Sequence, residues 1–291
     1  MRARSENRWV RLRTNAIEMA EQLAWRTDRN LPTNLGKIAA LRGVHSIEFR
    51  PLLTDGGIAL KDEGFVIYVK SDPAEGEYLT ALFGHDGIGV DLPSRLVRRA
   101  RFTIAHEIAH TLFYNTESKP PKPTVELKSA GSVRSLERAC NLVAGTLLLP
   151  ECILESRFAR LDLSLPAELT KLTDAALVSK HALVMRLREF RRFPHPNAIV
   201  ACVKNGESGW IIDSISRHYS LGQLFERAKE GSQLTTLVNH PDFIPNGGDL
   251  PEVDTELKGA SGYPLKIRFK CDHNVRSNSR GSIFVTAVLS T

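Results

Sequence analysis

Apolar residues recur at helical spacing within the first thirty residues of the chain. This stripe consists of Ile17, Ala20, Leu23 and Ala24. The spacing predicts an N-terminal amphipathic helix, which Pro32 would end. A shorter helix is expected next, because Asn34 can cap its start and Gly43 can close it after Leu41.

The pattern then changes to short runs that are typical of strands. We expect strands at 46–50, 57–61 and 64–70, of which the last contains FVIYVK and is the richest in β-branched and aromatic residues. Residues 71–93 hold Gly, Pro and Asp without a steady period, so they predict a loop or an insertion.

Two longer helices are predicted further along, at residues 94–114 and 132–149. The segment 117–131 between them has three prolines and is expected to be a loop. Shorter helices continue to Arg192, in an arrangement that resembles a helix-turn-helix unit.

The composition of the chain shifts again near Pro194. Strands are expected at 198–204, 210–214, 265–271 and 283–289, with one helix at 221–229 among them. The chain is therefore predicted to be α+β, with one domain at residues 1–160, a helical, helix-turn-helix-like segment at 161–194 and a C-terminal α+β domain at 195–291.

Composition excludes several classes of protein. The chain has 291 residues, 42% hydrophobic and 25% charged, which is close to the average for soluble globular proteins and unlike a collagen, a coiled-coil rod or a disordered chain. Its longest apolar run, Leu142–Leu149, is far shorter than the ~20 residues of a membrane span. The Arg-rich N-terminus lacks the apolar core of a signal peptide, and the four cysteines have no close pairs. We therefore expect a cytoplasmic protein with no membrane segment.

A net charge of +6 permits nucleic-acid binding without establishing it. The region 180–192 has five basic residues and one acidic residue. One interpretation is a surface that contacts DNA or an acidic partner, and the other is the solvated face of a packing helix. The pattern leaves both open and does not indicate an oligomeric state.

Residues 106–110 carry the clearest chemical motif, H-E-x-x-H. On a helix, His106 and His110 project from one face, one turn apart, so both imidazoles can bind a single Zn²⁺. Glu107 lies ~100° round the helix from His106, from where it can act as a general base without being a ligand. The neighbouring residues are apolar, and a buried helix does not carry such groups without compensating partners.

A catalytic zinc ion needs a third protein ligand, which is expected on a second helix. Glu137 is the candidate; the alternative is a glutamate that favours the first turn of its helix because of the helix dipole. Asn141, one turn further, could orient a ligand or serve only in helix packing. Tyr114 is one of several candidates for stabilising an oxyanion, among which the sequence does not choose.

Two sequence blocks resemble the ImmA/IrrE family of metallopeptidases. The block RFTIAHEIAH at 101–110 is similar to the family pattern R-F-T-x-A-H-E-[IL]-x-H, and 137–150 is similar to E-x-x-A-N-x-F-A-x-x-L-L-[ML]-P. Cys140 and Val143 depart from the second pattern, at positions where only packing is expected to change.

The resemblance implies a zincin-like (gluzincin) core in which His106, His110 and Glu137 hold zinc and Glu107 is the catalytic base. It also implies an endopeptidase that cleaves a helix-turn-helix repressor, often of the XRE type, and so relieves repression in stress response or mobile-element control. Radiation-response relatives carry a GAF-like sensor at the position of residues 195–291, where a sensing or substrate-recruiting role is a hypothesis without a motif.

Two questions stay open at this point. Two His and one Glu suit Mn²⁺ or Fe²⁺ as well as Zn²⁺. The alternative function is a DNA- or protein-binding regulator whose metal site is inert or structural. Glu107 argues against that alternative, because a structural site is closed by four ligands and needs no base.

Overall fold

The computed structural model describes residues 2–27, 29–84, 94–124, 130–158, 166–189, 198–206, 209–217, 253–258, 264–271 and 282–289. The chain divides into two compact units. The first comprises residues 1–154 with 176–178, and the second comprises 155–175 with 179–291. This division joins most of the predicted helix-turn-helix-like segment to the C-terminal strands, and the three-domain division stays a prediction.

The first unit begins with the two helices that the pattern predicts, α1 (Arg2–Thr27) and α2 (Leu35–Leu41). The Asn34 side chain accepts a hydrogen bond from the backbone N–H of Lys37 at 3.0 Å, which confirms it as the N-cap of α2. Ala20, Leu23 and Ala24 of the α1 stripe are buried, and α1 packs against α2 and against a later helix, α5 (Ala130–Leu148).

Three strands form a small mixed sheet, β1 (Val44–Arg50), β2 (Gly56–Lys61) and β3 (Gly64–Lys70). Their order is β1-β3-β2, with β1 parallel and β2 antiparallel to β3. The central strand β3 has the continuous apolar run predicted for it, and Phe65, Val66, Ile67 and Val69 are buried.

The loop predicted at 71–93 is wrong in its first half, where helix α3 (Pro73–Gly84) forms instead. The Asp72 carboxylate accepts a hydrogen bond from the backbone N–H of Glu75 at 2.8 Å, and Pro73 follows at the first helical position. Asp, then Pro, then Glu is a helix-start pattern. The helix is hard to predict because two glycines, Gly76 and Gly84, weaken the helical pattern of the segment.

The helix with the H-E-x-x-H motif is α4 (Ser94–Thr111), and it packs against α5 (Ala130–Leu148). It ends three residues before the predicted end at Tyr114. The guanidinium of Arg42 donates to the carbonyls of Thr111 and Tyr114, at 2.7 and 3.3 Å, and so satisfies carbonyl groups that have no intrahelical partner at the end of α4.

The predicted loop at 117–131 also contains regular structure. The two-residue strands β4 (Tyr114–Asn115) and β5 (Lys122–Pro123) pair antiparallel to each other. Residues 125–129 lie outside the described residues, and α5 begins at Ala130, two residues before its predicted start.

Three shorter helices follow, α6 (Glu151–Phe158), α7 (Pro166–Ala176) and α8 (Lys180–Glu189). In the second unit, α8 packs against the C-terminal sheet with Leu183, Val184 and Leu187 buried. Arg186, which both interpretations of the basic region place at the surface, is also buried. Arg188 is exposed, whereas Arg191 and Arg192 lie outside the described residues.

The C-terminal strands form one antiparallel sheet in the order β7-β6-β10-β9-β8. They are β6 (Ala198–Gly206), β7 (Gly209–Arg217), β8 (Val253–Lys258), β9 (Pro264–Cys271) and β10 (Ser282–Leu289). Four match predicted strands; β8 is not predicted because its sequence VDTELK has no aromatic residue and half of it consists of Asp, Glu and Lys, which are depleted in strands. The helix predicted at 221–229 lies outside the described residues.

The fold is mixed α+β and mostly helical, as the sequence predicts. The zincin-like and GAF-like assignments stay predictions. Among the described residues, no single helix combines the length and apolarity of a membrane span, although Ser132–Leu148 and Glu151–Arg157, bent by 46°, reach them as a pair.

Candidate metal centre

The packing of α4 against α5 brings His106, His110 and Glu137 together. The two imidazoles lie one turn apart on α4, with their ring centroids separated by 4.9 Å. Glu137 reaches both from α5: its Oε2 is 3.1 Å from His106 Nε2 and its Oε1 is 3.6 Å from His110 Nε2. The two Nε2 atoms are 3.1 Å apart.

These distances fit a shared metal ion. Ligand atoms bound tetrahedrally at about 2.0–2.1 Å lie about 3.3–3.4 Å from one another. The two imidazole nitrogens are 3.1 Å apart, and each has one Glu137 oxygen nearby, Oε2 at 3.1 Å from His106 and Oε1 at 3.6 Å from His110, so the three side chains are close enough to share one ion. Two nitrogens and one carboxylate oxygen are also a ligand set that zinc accepts at catalytic sites.

The hydrogen bonding of His106 strengthens this assignment. Its Nδ1 donates to the side-chain oxygen of Asn141 at 2.9 Å, so its Nε2 carries a lone pair in the neutral ring. That lone pair points towards a carboxylate oxygen, which is also an acceptor. Two acceptors at 3.1 Å repel each other unless a cation lies between them, so the donor set is suited to a bound metal.

Glu107 occupies a different environment from that of Glu137. Its side chain is buried, whereas that of Glu137 is about half exposed. Burial, followed by the nearby charge of Glu137, raises the pKa of Glu107 to about 7. Burial and the neighbouring His106 lower the pKa of His110 to about 4, against the opposing effect of Glu137, which favours the neutral imidazole that binds metals.

Tyr114 is not brought to this cluster by the contacts that the structure describes. Its ring packs edge-on against Phe65, with centroids 5.2 Å apart, and its carbonyl accepts a hydrogen bond from Arg42. Its role in stabilising an oxyanion stays a prediction. Asn141, by contrast, contacts the ligand candidate His106 directly.

Sequence reasoning missed Arg42, which lies at the end of α2 and holds the end of the motif helix. Besides the two carbonyls, its Nε donates to Thr111 Oγ1 at 3.3 Å. Burial lowers the pKa of this guanidinium. No local sequence pattern predicts this role, because the hydrogen-bond partners of Arg42 lie 69 and 72 positions after it in the chain.

A half-open cleft of about 360 Å³ lies beside the N-terminal half of α4. Thr103, one turn before Glu107, is part of its wall, but none of the four motif and ligand residues lines it. The other lining residues include Leu52, Val69, Leu79, Leu96 and Ala100. The cleft is therefore separate from the metal cluster and mainly apolar.

Comparison with known proteins confirms the resemblance over part of the chain. Residues 96–188 match the family model of the IrrE N-terminal-like domain, Peptidase M78. This match indicates a metallopeptidase-like domain over these residues. A solved structure of a Mycobacterium tuberculosis transcriptional regulator is similar with 16% identity and a TM-score of 0.47, over 94% of this chain and 75% of the regulator. No curated protein matches the sequence.

Proposed function

We propose that this chain is a zinc-dependent endopeptidase with a gluzincin-type site. His106, His110 and Glu137 are its metal ligands, and Glu107 is its catalytic base. The observation that carries the proposal is that two helices bring three ligand atoms within 4.8 Å of one another, next to a helix position that carries a buried glutamate. The match to the Peptidase M78 family over the same helices supports it.

The residues of the site divide the chemistry between them. A divalent metal held by the three ligands would supply Lewis acidity to a scissile carbonyl. Glu107 takes a proton from the attacking water on one carboxylate oxygen and passes it to the leaving amine. Asn141 fixes the orientation and tautomer of His106 through the hydrogen bond at Nδ1.

The substrate that we propose is a helix-turn-helix repressor of the XRE type, cleaved in the cytoplasm to relieve repression in stress response or mobile-element control. The support for this substrate is the family resemblance of 101–110 and 137–150, together with the family match. Contact with DNA through 180–192 and a sensing or recruiting role for 195–291 stay predictions.

The test is cleavage of purified helix-turn-helix repressors of the XRE type by the zinc-loaded full chain, beginning with any repressor that a neighbouring gene encodes. We expect the parent protein to cut the repressor at one or a few bonds, and Glu107→Gln to retain zinc but lose about 10²–10⁴-fold in rate. The Gln side chain keeps the shape of Glu107 and removes only its ability to take a proton. Undiminished cleavage by this variant would refute the assignment of the base.

A second measurement addresses the alternative function as a regulator. The zinc-loaded chain is titrated into labelled duplex DNA carrying the repressor's operator, at low and at physiological salt. Cleavage without DNA binding supports the peptidase. Salt-dependent DNA binding with no cleavage by the parent protein would favour the regulator.

A further inference from the structure

Gly56, the first residue of β2, lies where a side chain has no room. A Cβ atom built on it would lie 2.4 Å from Cγ2 of Thr103 and 2.9 Å from Oε1 of Glu107. Contacts below 3.0 Å are not found around real Cβ atoms, so at least one of these groups would have to move. The backbone of β2 therefore touches the motif helix directly at the level of Glu107.

The two neighbours of Gly56 would respond differently to an added methyl group. Thr103 is buried and branched at Cβ, one turn before Glu107 on α4, so its methyl group has few other positions. The Glu107 carboxylate is the end of a longer and more flexible side chain. The carboxylate can therefore move aside, and this movement would take it away from the face of α4 that carries His106 and His110.

We propose that Gly56 is a positioning residue for Glu107. The missing side chain lets β2 close over the carboxylate and confine it between the strand backbone and Thr103. This inference rests on the proposed function in one respect, namely the role of Glu107 as the base. The steric contact itself can be tested without any cleavage.

Gly57, the next residue, provides a matched control. A Cβ built on Gly57 meets nothing within 4 Å, although it belongs to the same strand. Neither glycine has a backbone conformation in the left-handed region. Alanine at either position therefore tests space alone, without backbone strain.

The first experiment is a double-mutant cycle on the thermal unfolding of the full chain without metal. We expect Gly56→Ala to lower the Tm by about 3–10 °C and Gly57→Ala to leave it level or slightly raised. In a Glu107→Ala background, the loss caused by Gly56→Ala should become smaller but not vanish, because the contact with Glu107 is removed while the closer one with Thr103 remains. In a Glu107→Gln background it should persist, because Gln fills the same space without the charge.

The outcomes of this cycle decide the proposal. An equal loss of Tm in the parent and Glu107→Ala backgrounds would overturn it, because the methyl group would then act on Thr103 or the strand alone. A similar loss from Gly57→Ala would overturn it as well. If Gly56→Ala does not fold, the cycle is repeated with Thr103→Ala present throughout, which removes the closest contact and leaves the one with Glu107.

The second experiment uses the zinc-loaded protein and repressor cleavage. Gly56→Ala should lower kcat about tenfold to a hundredfold while KM and zinc affinity change less than threefold, since a displacement of about 1 Å is enough for such a loss. An unchanged kcat would overturn the positioning role. If the parent protein cleaves nothing, the proposed function fails, whereas the cycle on unfolding still decides the contact between Gly56 and Glu107.

Discussion

Helices α4 and α8 both carry several ionisable residues, and the fold places those residues in opposite ways. On α4, His106 and His110 lie next to a carboxylate from α5, and the three side chains offer ligand atoms within 4.8 Å of one another. On α8, Arg186 is buried while Arg188 is exposed, so the basic residues do not share a face. The spacing explains the difference: residues four positions apart, such as His106 and His110, share a helix face, whereas residues two apart, such as Arg186 and Arg188, do not.

The residues that contact the two helices also differ: those of α4 belong to the metal cluster, and that of α8 belongs to a sheet. Glu137 and Asn141 approach the imidazoles of α4 from a facing helix, and each contacts an atom that a metal site requires. On α8, His181 Nδ1 lies 2.8 Å from the Asp213 carboxylate of β7. This contact ties the helix to its sheet, which is the behaviour of a packing helix.

Removal of a metal ligand should have the largest effect on this contrast. We expect His110→Ala or Glu137→Gln to weaken zinc binding by more than about 100-fold, since even loss of an outer hydrogen bond costs 10–100-fold. His181→Ala is the matched control on α8 and should leave zinc affinity unchanged. Competition against a chromophoric chelator measures both, and equal affinities in all variants would place the metal elsewhere.

Glu107→Gln should stabilise the metal-free protein at alkaline pH. The folded pKa of about 7 lies above the ordinary value of 4.5, so ionisation of Glu107 costs stability progressively as pH rises from about 4.5 to 7. At pH 8 the variant should therefore gain about 2–3 kcal/mol in free energy of unfolding, and at pH 4.5 almost nothing.

Urea unfolding with a chelator present, at the two pH values, measures this difference. A gain of the same size at both pH values would show that the carboxylate is not destabilised by its burial.

The buried and exposed arginines of α8 can be compared directly. Arg186→Ala should lower the free energy of unfolding by about 1–3 kcal/mol, because its side chain is buried and its removal leaves a cavity and unpaired partners. Arg188→Ala, on the exposed side, should change it by no more than about 0.5 kcal/mol. Denaturant titration of both variants measures the two losses in free energy of unfolding. A larger loss for Arg188→Ala than for Arg186→Ala would show that Arg186 is not buried.

The smallest effect is expected at Asn141. Asn141→Ala should weaken zinc binding about tenfold, because His106 loses the acceptor that fixes its tautomer while all three ligands remain. Asn141→Asp keeps an acceptor at that position and should restore most of the affinity. No loss in Asn141→Ala would make this residue a packing residue only.

Much of the fold could be predicted from local pattern. The Asn34 cap, the β-branched run of β3 and the i, i+4 pair of α4 each depend on residues a few positions apart. Helix α3 is not predicted, although Asp72-Pro73 is a helix-start pattern, because two glycines weaken the helical spacing of its apolar residues. Strand β8 was missed because its pairing with β9, rather than its own composition, defines it.

The sequence by itself determined the chemistry of this protein: which residues can bind a metal, and that His106 and His110 face the same way. Helix geometry imposes that relation wherever the helix lies. Only the tertiary structure decided that Glu137 reaches both imidazoles and Asn141 that of His106, that Arg42 bonds to the end of α4, and that Gly56 leaves no room for a side chain beside Glu107. Those contacts join residues 27 to 69 positions apart, so they depend on how whole elements pack.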